Sequence, residues 1–147
     1  KAENSGNVSY DPANHQRMME LRAEKVARVA QEIPDLTING DEHGKVLVVG
    51  WGGTYGAITA AVNRLKQEGK SVSAVHLRYL NPFPRNLGKI LRDFDRVLVL
   101  ELNMGQLAML LRARFLVDAI SLPKVQGRPF TEHEIREKID DLLERTA

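Results

Sequence analysis

The sequence predicts an α/β domain in three layers, with a mainly parallel sheet of four or five strands, helices on both faces, and one helix ahead of it. Three observations predict it. The unbroken apolar run Val46 to Val49 meets four glycines, Gly50, Gly52, Gly53 and Gly56, and a helical pattern begins directly after them. Two further runs of mostly buried character, Ser71 to Arg78 and Arg96 to Leu100, follow with room for a helix before each. None of the three alternates cleanly between apolar and polar, as expected of strands covered on both faces of a parallel sheet. Residues 1–44 form the leading helix and its connector, and residues 45–147 form the α/β domain.

The leading helix starts at Asp11-Pro12. Asp11 can cap free N–H groups, and Pro12 sits at the first helical position, where its missing donor costs nothing. Pro34 marks its end. Between them Met19, Ala23, Val26, Ala30 and Ile33 recur at steps of four and three, a narrow stripe suited to another helix or domain, or to this domain's own sheet. Asp35 to Gly44 is a polar connector with turn signals at Asn39-Gly40 and His43-Gly44, and Leu36 to Asn39 is a candidate fifth strand.

After the central strand, Ile58, Ala61, Val62 and Leu65 share one helix face, and Gly69 stops that helix. His76 lies in the next strand, where a lone histidine reads as a hydrogen-bonded core residue before it reads as a catalyst. Asn81-Pro82-Phe83-Pro84 makes a tight turn and launches a helix carrying Leu87, Ile90, Leu91 and Phe94. The strand Arg96 to Leu100 leads through a polar loop, Glu101 to Gln106, into a helix whose apolar face is Leu107, Leu110, Leu111 and Phe115. Ser121 to Gln126 reads as a short edge strand limited by Pro123. Thr131 and Glu134 form a capping box for a last helix carrying Ile135, Ile139, Leu142 and Leu143. The whole pattern is βαβαβαβα.

Composition narrows the function classes. At 147 residues and 43% hydrophobic, the chain fits one domain with a sizeable core. The net charge of +2 comes from basic residues scattered among acids, which gives nucleic-acid binding little support. The absence of cysteine removes disulfides, a thiolate nucleophile and conventional ligation of an iron–sulfur cluster by this chain. No apolar run reaches the length of a membrane span, and a cytoplasmic location is expected. The chain opens at Lys1 without a methionine and with a polar lead, which reads as an internal piece of something longer.

In a parallel sheet the loops after the strands emerge on one edge, and open α/β folds place ligands there. The candidates on that edge are Gly52, Gly53, Thr54 and Tyr55 after the first strand, Asn81 after the second, Glu101, Asn103 and Gln106 after the third, and Gly127 with Arg128 after the fourth. Glycines between a strand and a helix leave N–H groups and the positive helix end free for a phosphate. The spacing from Gly50 is one residue longer than the dinucleotide fingerprint, and the second strand ends in His76-Leu77-Arg78 without an acid for a ribose. An arginine there could suit a 2′-phosphate, so an NADP-binding module using Gly50, Gly52, Gly56 and Arg78 is one reading. A regulatory module binding a small anion at the helix start by Thr54 is another. No catalytic and no metal-ligating residue is assigned: the edge carries one acid, Glu101, whose plain role is to hydrogen-bond neighbouring loop amides.

Three blocks in order carry a resemblance: Val48 to Ile58, with the run Gly50-Trp51-Gly52-Gly53-Thr54-Tyr55-Gly56; Leu80-Asn81-Pro82-Phe83-Pro84; and Glu101 to Arg112. With the lead Gly6 to Pro12 and the close Lys124 to Phe130, they resemble the C-terminal part of the alpha subunit of 2-oxoacid:ferredoxin oxidoreductases, especially the 2-oxoglutarate type, over nearly the whole chain. Gly53 departs from the serine that many members carry. The resemblance implies a transketolase-C-terminal-like domain in an enzyme that decarboxylates a 2-oxoacid on thiamine diphosphate with Mg2+, sends electrons through an iron–sulfur cluster to ferredoxin, and makes an acyl-CoA. It implies that the cofactors are held elsewhere, by the beta subunit and by upstream alpha-subunit domains, and that none binds this chain alone. Those polypeptides are the implied partners, with ferredoxin and CoA serving the complete enzyme. The chain by itself is expected to be inactive, and its apolar stripe, if uncovered, to drive a homodimer or a displaced helix.

Overall fold

The computed structural model describes residues 1–145. Its packing divides the chain into two units, Lys1–Pro34 with Tyr79–Arg85, and Asp35–Arg78 with the chain from Asn86 onward.

The first unit is built on helix α1 (Pro12–Arg28), which tightens into a 3-10 turn at Val29–Gln31. The Asp11 carboxylate accepts the N–H groups of Ala13 at 3.3 Å and Asn14 at 3.0 Å, so the cap forms where the Asp-Pro pair places it. No residue of α1 is buried. Along the apolar stripe Met19, Ala23 and Val26 are exposed, Ala30 is half-buried, and Ile33 beyond the helix is buried. The stripe therefore lies open over most of its length. Segment Tyr79–Arg85 carries a cis peptide between Asn81 and Pro82.

The second unit is the sheet and its helices. Strands β1 (Gly44–Trp51), β2 (Val72–Leu77), β3 (Phe94–Glu101) and β4 (Ala119–Pro123) are all parallel and stand in the order β2-β1-β3-β4. Helices α2 (Tyr55–Gln67), α3 (Leu87–Arg92), α4 (Gln106–Phe115) and α5 (Glu132–Glu144) connect and cover them. Right-handed crossovers send α2 to one face as the chain steps from β1 to β2, and α3 and α4 to the other as it steps back through β3 to β4. α5 returns to pack beside α2, and Val46, Val48, Leu98 and Leu100 meet Ile58, Leu65, Ile135 and Ile139 in one buried cluster. The alternate residues Leu47, Val49, Val97 and Val99 are buried on the opposite face, with Leu87, Leu91, Leu107 and Leu111 of α3 and α4. β1 is central, as its apolar run requires.

Four expectations need correction. The sheet has four strands, because Leu36 to Asn39 forms no strand: Asn39 exchanges one antiparallel pair of bonds with Ala74 (2.8 and 3.0 Å), and the Leu36 backbone is held by the Asn86 side chain at 2.9 and 3.0 Å. Phe94 opens β3 instead of closing α3, whose last residue is Arg92. The edge strand begins two residues and ends three residues earlier than expected, at Ala119–Pro123. On α4 the buried face is Leu107, Ala108 and Leu111, and Leu110 is 48% exposed, since Ala108 packs close and turns Leu110 outward.

Both outer strands are guarded. Beyond β2 stands the Asn39 bridge. On β4 the inward groups serve β3, as in the bond from Lys124 N–H to the Glu101 carbonyl, so Ala119, Ser121 and Pro123 turn their backbone outward. Ala119 gives its N–H to the Val117 carbonyl, its own carbonyl accepts Arg112 Nε at 2.8 Å, and Pro123 has no donor to offer. Among the described residues no helix is long and apolar enough to cross a membrane.

Gly50 sets the distance between β1 and α2. A Cβ there would stand 2.5 Å from Thr54 Oγ1 and would collide with Ile58 Cδ1, whereas a Cβ at Gly56 meets nothing within 4 Å. Gly50→Ala should therefore destabilise by about 1–3 kcal/mol through overpacking, while Gly56→Ala, inside α2, should stabilise by about 0.5–1 kcal/mol. Urea denaturation of the two variants checks both signs.

Candidate functional site

The chain leaves β1 toward β2 on one side and β3 toward β4 on the other. Their outgoing loops diverge and leave a crevice at the C-terminal ends of the two central strands, the place where open α/β sheets take ligands. The loops Gly52–Tyr55 and Leu102–Gln106 line it, and they approach closely: a Cβ on Gly53 would lie 3.7 Å from Leu102 Cδ1.

On the β1 side a 3-10 turn, Gly52–Thr54, leads into α2, with Gly52 at φ +58°, a conformation that favours glycine. Thr54 is buried, and its hydroxyl donates to the Trp51 carbonyl at 3.0 Å. Tyr55 is 58% exposed and meets the His76 ring edge-on at 5.0 Å between centroids. His76 sits opposite Gly50 in the β1–β2 register. Burial, and next the charge of Arg78, push its pKa below the ordinary value, which favours the neutral imidazole. Its buried Nδ1 has no hydrogen-bond partner, so it is not the satisfied core histidine expected of that strand.

On the β3 side the donors of the first turn of α4 are taken. The Glu101 carboxylate is fully buried and accepts the N–H groups of Leu107 at 2.7 Å and Ala108 at 2.9 Å. Asn103 Oδ1 accepts those of Gly105 at 2.8 Å and Gln106 at 3.2 Å, and Met109 N–H reaches the Gly105 carbonyl. Glu101 thus hydrogen-bonds first-turn amides of α4 instead of the loop amides expected, and a negative charge already stands where the helix would attract an anion. Gln106 takes part through its backbone N–H; its side chain is exposed. Asn81 lies in the first unit, exposed beside the cis peptide.

The loop after β4 holds exposed Arg128, whose Nε donates to Gln126 Oε1 at 3.1 Å, and a residue that the sequence did not single out. Lys124 is buried. Its Nζ donates to both oxygens of Glu134 at 2.7 Å and to the Pro129 carbonyl at 2.9 Å, and it stands 5.4 Å from the Phe130 ring centre. The capping-box glutamate was the available signal, since a carboxylate bonded to Thr131 N–H keeps an oxygen for a cation. A cavity of about 710 Å3 opens beside this knot, lined by Leu122, Val125, Phe130 and α5, with Lys138 already on Asp141 at 2.8 Å. Among the described residues no three His, Asp or Glu side chains converge as a metal site.

Two measurements check these contacts. In Glu101→Gln the amide NH2 faces a backbone N–H it cannot accept, so stability should fall by about 1–3 kcal/mol and the Leu107 and Ala108 amides should exchange faster with solvent. The Lys124 ammonium, then the Thr131 N–H, hold the Glu134 carboxyl at about 2, below the value of an unfolded chain. Its contribution to stability is complete above the unfolded pKa and is lost as pH falls through the folded one, between roughly pH 4.5 and 2. Acid titration of the fold should show that loss, and Glu134→Gln should flatten it.

The fold and the edge define a parallel α/β domain whose glycine loop packs a helix and whose crevice brings together no catalytic set among the described residues. Residues 44–135 match the family model described as pyruvate:ferredoxin oxidoreductase core domain II, and the chain belongs to that family. It is 45% identical over 137 residues to the 2-oxoglutarate oxidoreductase subunit KorA of Mycobacterium tuberculosis, covering 91% of this chain and 20% of the relative. It is 34% identical over 147 residues to the alpha subunit of 2-oxoacid:ferredoxin oxidoreductase 1 of Aeropyrum pernix, covering 94% and 23%. Among solved structures it resembles the 2-oxoglutarate:ferredoxin oxidoreductase of Magnetococcus marinus with 2-oxoglutarate, coenzyme A and succinyl-CoA bound. That likeness has a TM-score of 0.90 at 28% identity and covers 97% of this chain and 25% of the other. The chain thus spans about a fifth to a quarter of the length of these proteins.

Proposed function

We propose that this chain is the C-terminal assembly domain of the alpha subunit of a 2-oxoglutarate:ferredoxin oxidoreductase, an enzyme that converts a 2-oxoacid and CoA to an acyl-CoA and carbon dioxide while reducing ferredoxin. The observation that carries it is the 45% identity to a 2-oxoglutarate oxidoreductase subunit across nearly the whole chain. The Magnetococcus marinus enzyme, whose structure holds 2-oxoglutarate, coenzyme A and succinyl-CoA, supports the choice of 2-oxoacid. A beta subunit and upstream alpha-subunit domains complete the assembly in this reading, and a cytoplasmic location goes with it.

Thiamine diphosphate, Mg2+ and an iron–sulfur cluster belong to the complete enzyme in this proposal. The donor set of this chain does not fit them: it has no cysteine, Glu101 is engaged with two amides, and no acids converge among the described residues. Its role is scaffolding. The NADP and anion readings find less support, because Gly50 is accounted for by packing, the Thr54 hydroxyl is bonded within its loop, and the α4 start already holds a carboxylate.

α1 supplies the assembly surface. A 17-residue helix with no buried residue is marginal in water by itself, and covering its open stripe gains roughly 25 cal/mol per Å2 of apolar surface. Met19, Ala23 and Val26 form the open face, which closes through half-buried Ala30 to buried Ile33. The test uses the full-length alpha subunit co-expressed with its beta subunit, assayed for CoA-dependent oxidation of 2-oxoglutarate with a ferredoxin acceptor. The assembled enzyme should turn over and the 147-residue chain alone should not; activity only with another 2-oxoacid would overturn the substrate, and turnover by the chain alone would overturn the scaffold role. Val26→Glu with Ala30→Glu should loosen the assembly and leave the α/β unit folded by circular dichroism.

A further inference from the structure

We infer that the C-terminal edge of the sheet is a docking surface for an acidic loop of the second subunit, distinct from the α1 stripe and carried by the α/β unit itself. The inference rests on the alpha-subunit reading above. It names a surface and a partner chemistry that this reading leaves open.

The strand order β2-β1-β3-β4 sets the outgoing loops in a row, which reads Arg78, then Gly52 to Gly56, then Leu102 to Met104, then Val125 to Arg128. The middle of the row is apolar and open: Tyr55 is 58% exposed, Leu102 40%, Met104 78% and Val125 63%. Three of its residues are glycines, and neither Gly53 nor Gly56 has a positive φ or a neighbour that a Cβ would crowd. Their smallness serves nothing inside this chain and leaves the backbone approachable from outside. An apolar patch rimmed by polar groups is the usual mark of a protein contact.

Charge selects the partner. The row ends in Arg78, just past β2, and Arg128, in the loop after β4, and those two strands stand three spacings apart, roughly 14 Å. Of the acids on this side, Glu101 is buried on two amides, Glu134 holds Lys124, and Glu132 pairs with Arg136 at 3.8 Å, while Glu137 is exposed on α5 beside Val125 and Gln126. The edge therefore carries an exposed arginine at each end and apolar side chains between, with Glu137 set back on α5. A second copy of this chain would set like charges among themselves in a two-fold contact, which disfavours self-pairing. An acidic loop with an apolar centre matches the edge in both respects, and since the matched relatives include named alpha subunits, a further subunit is the polypeptide available to provide it.

The experiment uses the full-length alpha subunit co-expressed with its beta subunit, with a benzoylphenylalanine photocrosslinker in place of Met104 or, separately, Val125. Irradiation followed by mass spectrometry should join both positions to one acidic segment of the beta subunit. Arg78→Glu with Arg128→Glu should weaken subunit association at least tenfold, Arg78→Lys with Arg128→Lys should keep it within about threefold, and raising the salt should weaken the wild-type complex toward the Glu variant. Crosslinks confined to the alpha subunit, crosslinks between two alpha subunits, or a Glu variant that assembles normally would each overturn the inference. If instead no beta subunit co-purifies with the wild-type chain, the alpha-subunit reading itself fails, so the two failures are separable.

Discussion

The C-terminal edge depends on one buried carboxylate. Glu101 ends β3 inside the layered core, where an unpaired charge would not be tolerated, and the N–H groups of Leu107 and Ala108 make it tolerable. The same two bonds fix where α4 begins, and so where Leu107, Ala108 and Leu111 meet the sheet. They also settle the chemistry of the crevice: the side chain best placed to act as an acid or base is the one holding the helix. The opposite loop solves its problem without charge. There Gly50 lets α2 settle onto β1, and Thr54 closes the turn on the Trp51 carbonyl.

The sheet was legible because its evidence is local. Val46 to Val49 next to four glycines identifies a buried strand and the start of a crossover, and the capping residues Asp11, Thr131 and Glu134 act within three positions of themselves. Misreadings arose where two patterns overlap. Phe94 follows Ile90 and Leu91 at helical spacing, yet α3 ends at Arg92 and Phe94 belongs to the strand. Leu110 fits an i, i+3 pattern with Leu107, but the buried face of α4 runs through Leu107, Ala108 and Leu111, and Leu110, two residues from Ala108, faces away from it. The site was less legible because its bonds join distant positions: Glu101 reaches six and seven residues ahead, beyond any capping signature, and Lys124 is buried by a carboxylate ten residues away.

Lys124 and Glu134 do for the fourth loop what Glu101 does for the third. An ammonium taken from water is acceptable only when fully bonded, and here two carboxylate oxygens, a carbonyl and an aromatic face surround it. The knot draws Pro129 and Phe130 toward α5 and ties both ends of the segment that carries Val125 and Arg128. The loops after β1, β3 and β4 are thus each anchored by a polar contact within their own strand–helix connection. An edge held in that way presents fixed side chains, so an approaching surface meets a shape settled in advance.

The guarded positions of the outer strands bear on how the sheet meets any other polypeptide. Asn39 closes one side of the sheet at Ala74, and Arg112 and Pro123 narrow the other at its two ends, so a stray strand finds fewer free backbone groups there, with Ser121 still turned outward. At the closed positions another polypeptide meets side chains in place of free backbone groups, so association there leaves the hydrogen bonds of the sheet unchanged.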